Sequence, residues 1–131
     1  MSDNVATVKA IYEAFGRGDV PFILSCLADN VEWDQRESHG IPLLVPRRGR
    51  DEVALFFQEL RNIELVNFSV KQLFDGGSSV VAWISISWKW KASGRLFSDA
   101  VGLHLWEFDT AGKVSRFFHV ENTHAMWLAT R

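Results

Sequence analysis

Apolar residues recur three and four apart at Val5, Val8, Ile11, Tyr12 and Phe15, and "GRGD" from Gly16 then breaks the pattern. That spacing predicts a helix beginning near Asn4. Residues 20–27 repeat the pattern, with Phe22, Ile23, Cys26 and Leu27 on one face and Pro21 tolerated in a first turn. "ADNVEWDQ" then predicts a turn at Asp29 and Asn30, followed by a short strand through Val31, Trp33 and Gln35. Residues 37–48 contain His39, Gly40, Pro42 and Pro46, too broken for a regular element, and read as a loop. "GRDEVALFFQELRNI" predicts a third helix, capped by Asp51 and apolar at Val53, Phe56, Phe57 and Leu60.

Beyond residue 65 the period changes from helical to two. Strands are predicted near residues 66–74, 79–91, 97–108 and 114–122, with turns around Gly76, Gly94 and Gly112. Short connections make an antiparallel meander. Helices first and such a sheet afterwards predict an α+β fold with helices packed on one face of a curved sheet. Val80, Ala82, Ile84, Ile86, Trp88 and Trp90 share an apolar face, whereas Ser85, Ser87, Lys89 and Lys91 alternate with them beside Trp83. The next strand aligns Ala100, Gly102, His104, Trp106 and Phe108, so small residues precede a histidine on one face. In the last strand Phe117, His119 and Glu121 face one way, and Arg116, Phe118 and Val120 the other.

A chain of 131 residues forms one domain, 1–131. Six tryptophans and ten phenylalanines are an unusual aromatic content; rings of this size fill cores, and they also line concave pockets and subunit interfaces. A formal net charge of -2, without a run of one sign, gives no reason to expect nucleic acid or an anionic membrane as partner. "PRRGR", with Arg47, Arg48 and Arg50, reads as a solvated loop. No apolar stretch approaches the ~20 residues of a membrane span. No secretory signal is read at the N-terminus, and the lone Cys26, in phase with a helical stripe, reads as core filler. A cytoplasmic location is expected.

An imidazole and a carboxylate aimed together into an apolar interior suit proton transfer beside a carbonyl, because imidazole titrates near neutral pH and a carboxylate fixes its tautomer. The plainer alternative is a pair of buried polar groups satisfying one another. His119, Glu121 and His124 are zinc-type donors, but His124 falls on the other parity, so no metal is expected. Glu32 and Asp34 flank Trp33 and alternate to the outer face, and His39 reads as a surface histidine. No phosphate-cradling loop and no serine elbow is present.

The order of "VKAIYEAFGRGDVPFILSCLADNVEWD", "GRDEVALFFQEL" and "HLWEFDTAGKVSRFFHVENT" resembles the SnoaL-like branch of the NTF2-like superfamily, which includes ketosteroid isomerases and scytalone dehydratase. The resemblance implies a cone: three N-terminal helices packed on a curved antiparallel sheet enclosing a pocket, dimerising through the sheet's outer face. Where the isomerases carry a base aspartate, this chain has Gln35, and their helix-one tyrosine falls at Ile11, beside Tyr12. His104 matches the position of their protonated aspartate and of the histidine in SnoaL-type polyketide cyclases, whose aspartate falls near His119 or Glu121. Scytalone dehydratase pairs histidines and needs no cofactor, as His104 and His119 would. The implied function is a cofactor-independent isomerase, cyclase or dehydratase acting by acid–base chemistry on a small hydrophobic carbonyl or cyclic compound. His104 and His119 would be the acid–base pair, Glu121 their orienter, and Tyr12, Trp33, Gln35 and Phe117 the pocket. The alternative is a non-catalytic ligand-binding or dimerisation module, with Trp88 and Trp90 on the outer face.

Overall fold

The computed structural model describes residues 3–131. Helix α1 (Asp3–Gly16) buries Val5, Val8, Ile11 and Ala14, the stripe its periodicity marks. Helix α2 (Val20–Ser25) is capped by Asp19, which accepts from the Phe22 N–H, and takes Pro21 in its first turn. Strand β1 (Leu27–Trp33) follows at once. The turn expected at Asp29 and Asn30 is absent; both are exposed residues inside the strand, where its register shifts.

Residues 37–48 contain a 3-10 turn at Pro42–Leu44 and strand β2 (Arg47–Arg48). Helix α3 (Gly49–Glu59) starts two residues before Asp51, which therefore sits in its first turn rather than at its cap. Arg48 stands at the cap, and Glu52 accepts its backbone N–H at 2.8 Å. The arginines are not simply solvated. Arg47 is buried with its guanidinium 5.5 Å from the centre of the Phe56 ring, while Arg48 pairs with Glu32 and Arg50 with Asp29, each at 3.0 Å.

Strands β3 (Ile63–Asp75), β4 (Ser79–Trp90), β5 (Arg95–Phe108) and β6 (Val114–Val120) form the expected antiparallel meander. The sheet order is β2-β1-β6-β5-β4-β3, and β1 joins β6 in parallel. The helices and the core occupy one side of this curved sheet. Val80, Ala82, Ile84 and Trp88 of β4 point into that core. Trp88 is therefore an inner residue and Trp90 packs against the same core, so neither belongs to an outer docking face.

A bulge in β5 opposite Ile84–Ile86 changes the parity of the strand. Phe97 faces the core before it, and Gly102, His104, Trp106 and Phe108 face the core after it, leaving Ala100 exposed. Beyond β6, Asn122 caps a fourth helix, α4 (Thr123–Ala129), by accepting from the Ala125 N–H at 3.0 Å. α4 buries Met126 and Ala129 and lies beyond the predicted last strand, where the sequence reading places no element. Among the described residues no helix is long and apolar enough to cross a membrane.

Candidate functional site

Between the helices and the concave face of the sheet lies a cavity of about 210 Å³. Its walls are almost wholly apolar, with Trp33, Phe56, Phe57, Trp106 and Phe117 prominent among them. Four lining residues carry ionisable side chains: Tyr12, His104, His119 and Glu121. They are brought together by register. His104 on β5 stands directly opposite His119 on β6, with ring centres 5.1 Å apart and planes at 88°. Glu121, one residue past β6, keeps to the same face, and its side chain is 3% exposed. Gly102 makes room for it, because a Cβ there would lie 3.1 Å from the Glu121 Cγ and 3.1 Å from the Ile84 Cδ1.

The hydrogen bonds have a defined direction. The Trp106 Nε1–H donates to the Tyr12 hydroxyl oxygen at 3.0 Å, and Tyr12 Oη lies 2.6 Å from His104 Nδ1. Burial pushes the Tyr12 phenol far above its ordinary pKa, so it keeps its proton and donates it to Nδ1. Burial likewise lowers the His104 pKa against the opposing pull of Glu121, holding the ring neutral at pH 7. The neutral ring then carries its hydrogen on Nε2, which faces the Glu121 carboxylate at 3.5 Å. Both nitrogens of His104 are thus engaged, and the ring serves Glu121.

His119 is held by a residue that alternation conceals. Asp34 follows β1 at φ 53° and is 3% exposed. Its N–H donates to the Phe117 carbonyl at 2.9 Å. One carboxylate oxygen accepts the His119 backbone N–H at 2.8 Å, and the other lies 2.6 Å from His119 Nδ1. Asp tolerates the left-handed backbone region better than most residues. That conformation turns both Trp33 and the next residue, Asp34, inward. Desolvation alone would lower the His119 pKa, but the charge and hydrogen bond of Asp34, with Glu121 adding to them, outweigh it and raise the value above the ordinary 6.5. The imidazolium is therefore favoured, with Nδ1–H committed to Asp34 and Nε2–H left for a ligand.

His104, His119, Glu121, Tyr12, Trp33 and Phe117 all line the cavity. Gln35 does not. The backbone reversal at Asp34 takes it away, and its amide bonds the Arg47 carbonyl at 2.7 Å. His39 is exposed at φ 53°, and His124 is exposed on α4, away from any metal-like grouping with His119. Asp34 was missed because strict alternation places it opposite Trp33; the signal available was an acidic residue suited to positive φ just after a strand. Potential ligand atoms of His104, His119 and Glu121 lie within 4.8 Å of one another, a donor set of the kind transition metals take. Here His104 spends Nδ1 on Tyr12, and its Nε2 lies 3.5 Å from the Glu121 carboxylate.

The profile of the SnoaL-like domain family matches residues 8–117. No curated protein is significantly similar in sequence. Among solved structures, an NTF2-like protein of unknown function from Burkholderia pseudomallei K96243 is 26% identical, with a TM-score of 0.84 over 99% of this chain and 98% of that one. TerC, crystallised with polyporic acid, is 21% identical, with a TM-score of 0.79 over 98% of each chain. The Δ5-3-ketosteroid isomerase of a Mycobacterium species is 18% identical, with a TM-score of 0.74 over 95% of this chain and 97% of that one. At these identities the last two share the fold alone.

Proposed function

From a chain that belongs to the SnoaL-like domain family, and that gathers two imidazoles and two carboxylates at an apolar cavity, we propose a cofactor-independent acid–base enzyme. Its substrate is a small hydrophobic carbonyl or cyclic compound. The observation that carries this reading is the division of labour between the two histidines. Burial shifts His104 towards its neutral form behind Glu121, while Asp34, bonded to His119 Nδ1 at 2.6 Å, shifts that ring towards its charged form. Environments that push two like groups in opposite directions suit one for each half of a proton transfer.

In this reading Glu121 takes a proton from the carbon next to a carbonyl. The C–H pair becomes the new C=C bond, and the carbonyl π pair moves onto oxygen, which receives the Nε2 proton of His119. The enol then reprotonates elsewhere (isomerisation), attacks a second carbonyl (cyclisation) or expels a β-hydroxyl as water (dehydration). Relative to the roles expected from sequence, Glu121 and His104 exchange places: the carboxylate acts and the imidazole orients it. A positioned base contributes about 10²–10⁴-fold and a donor to the developing oxyanion about 10²–10³-fold.

The test does not require the natural substrate. Enzyme-catalysed exchange of α-hydrogens for deuterium is followed by NMR on a panel of small cyclic and aryl ketones in D2O. Wild-type protein is expected to accelerate exchange, with Glu121→Gln and His119→Ala each slowing it by about 10²-fold while remaining folded. Exchange at the buffer rate for every ketone that binds would leave a binding protein, not an enzyme.

We also infer a homodimer through the sheet's outer face. Val81 pairs with Leu105, Trp83 with Leu103, and Leu105 with Phe118, so these half-buried side chains form one contiguous apolar patch on the side away from the cavity.

A further inference from the structure

His104, His119 and Glu121 each present one potential ligand atom at the cavity, and the three atoms lie within 4.8 Å of one another. On the sequence the third donor beside His119 and Glu121 is His124; the sheet register supplies His104 instead, directly opposite His119. Both rings are held from behind. His119 Nδ1 lies 2.6 Å from Asp34 Oδ2, and His104 Nδ1 lies 2.6 Å from Tyr12 Oη. The nitrogen left over in each ring is Nε2, and an oxygen partner on the far nitrogen is the usual way that metal-binding histidines are oriented. Glu121 is the loosely held member. Its side chain is 3% exposed, and its 3.5 Å contact with His104 Nε2 is longer than the about 2.7–2.9 Å of a charge-assisted hydrogen bond. A buried carboxylate in that condition is stabilised by a cation.

We propose that His104 Nε2, His119 Nε2 and the Glu121 carboxylate together bind one divalent first-row transition ion of the zinc class, with its remaining position open to the cavity. Donors at about 2.0–2.2 Å in a tetrahedral zinc site stand about 3.3–3.6 Å apart, so the His104–Glu121 pair already has that spacing. The other pairs close by about 1.5 Å at most, within reach of side-chain rotation. Two imidazoles select zinc, cobalt or nickel over magnesium and calcium, which take oxygen donors. Two carboxylates match a double charge, Glu121 directly and Asp34 across the His119 ring. The ion takes the place of hydrogen on each ring. His104 moves its hydrogen to Nδ1 and donates it to the Tyr12 hydroxyl oxygen, whose own hydrogen turns away. His119 releases its Nε2 proton to solvent and keeps Nδ1–H on Asp34. This goes beyond the acid–base reading and stands apart from it: an ion seated here occupies Glu121 and His119 Nε2, so ion and carbonyl substrate exclude one another.

The experiment titrates the intact, metal-free protein with Co2+, whose visible absorption is intense at four- or five-coordinate nitrogen–oxygen sites, and then displaces it with Zn2+. Absorption is expected to saturate at one ion per chain and to vanish in Glu121→Gln and in His119→Ala. Asp34→Asn should bind about 10- to 100-fold more weakly, the usual cost of losing such an outer partner. His39→Ala and His124→Ala, which remove the two exposed imidazoles, should leave it unchanged. A measurement on wild type alone guards against misfolded variants: in 15N NMR, Zn2+ should shift Nε2 of His104 and His119 and leave His39 and His124 in place. No cobalt absorption at one equivalent, absorption that survives Glu121→Gln, or ring shifts confined to His39 and His124 would each overturn the proposal. The α-hydrogen exchange assay separates the two readings. Zinc bound to His104 and His119 without slowing exchange would refute the base role of Glu121 and uphold the metal site, whereas exchange in a protein that binds no ion refutes only the metal site.

Discussion

Asp34→Asn tests the central electrostatic claim with little disturbance of shape. Asn adopts positive φ as readily as Asp, so the backbone reversal at φ 53° remains available. The charge and the two-acceptor character are what change. Asp34 now receives two hydrogen bonds from His119, at 2.8 Å from the backbone and 2.6 Å from Nδ1. Bonds to an ionised acceptor are worth about 1.5–3 kcal/mol and ordinary ones about 0.5–1.5 kcal/mol, so the variant should lose about 1–3 kcal/mol in all. The amide oxygen can satisfy the backbone N–H, which turns the NH2 group toward Nδ1 and moves the ring hydrogen to Nε2.

The pH dependence gives the sharper reading. A folded-state pKa raised above 6.5 means that His119 contributes stability fully present below about pH 6.5 and lost as pH rises through the raised value. His104 has the opposite sign: its lowered pKa contributes stability above about pH 6.5 that is lost as pH falls toward the folded value. Subtracting the variant's stability from that of wild type at each pH leaves the His119 contribution together with the smaller change in His104, which also feels the charges of Asp34 and His119. The difference, measured by urea denaturation, is expected to be largest at and below about pH 6.5 and to shrink as pH rises. NMR of the His119 ring should show its pKa falling in the variant, since desolvation then faces only Glu121. A pH-independent difference, or a His119 titration identical in both proteins, would refute the claim that Asp34 charges this histidine.

Tyr12→Phe removes the donor to His104 Nδ1 and the acceptor for the Trp106 N–H together, so urea denaturation should show a loss of about 1–3 kcal/mol, with the His104 ring resonances shifted and those of His119 nearly unmoved. Leu105→Glu places a charge in the centre of the outer patch, against Val81 and Phe118. Light scattering at micromolar concentration should give a dimer for wild type and a monomer for this variant, and a monomeric wild type would end the dimer proposal.

Most of the architecture was legible because it is built from two clean periods. The stripe of α1, the alternation of β4 and the glycine-marked turns each identify an element and the face it buries. Facing positions also placed His104, His119 and Glu121 on a common surface, since register follows from the turns that join β5 to β6. What was not legible lies where a period breaks. The bulge in β5 exposes Ala100 and turns Phe97 inward, and no residue type announces it beyond the small residues nearby. The α4 helix is short, and its capping signal at Asn122 directly follows a strand pattern that reads through it.

Asp34 is the instructive failure, because the break there is tied to the chemistry. Strict alternation offers only every second residue to the interior, so a strand that supplies the wall residue Trp33 cannot also supply its neighbour. Residue 36 lies outside that register altogether: Arg36 is exposed, its guanidinium donating to the His119 carbonyl. To set a carboxylate against His119 beside the Trp33 wall, the chain must leave the extended region immediately after Trp33, and Asp is among the few residues that do so cheaply. The same step displaces Gln35 from the cavity. The left-handed turn therefore selects both the residue that charges His119 and the one excluded from the site, and a reading based on strand parity had to get both wrong together.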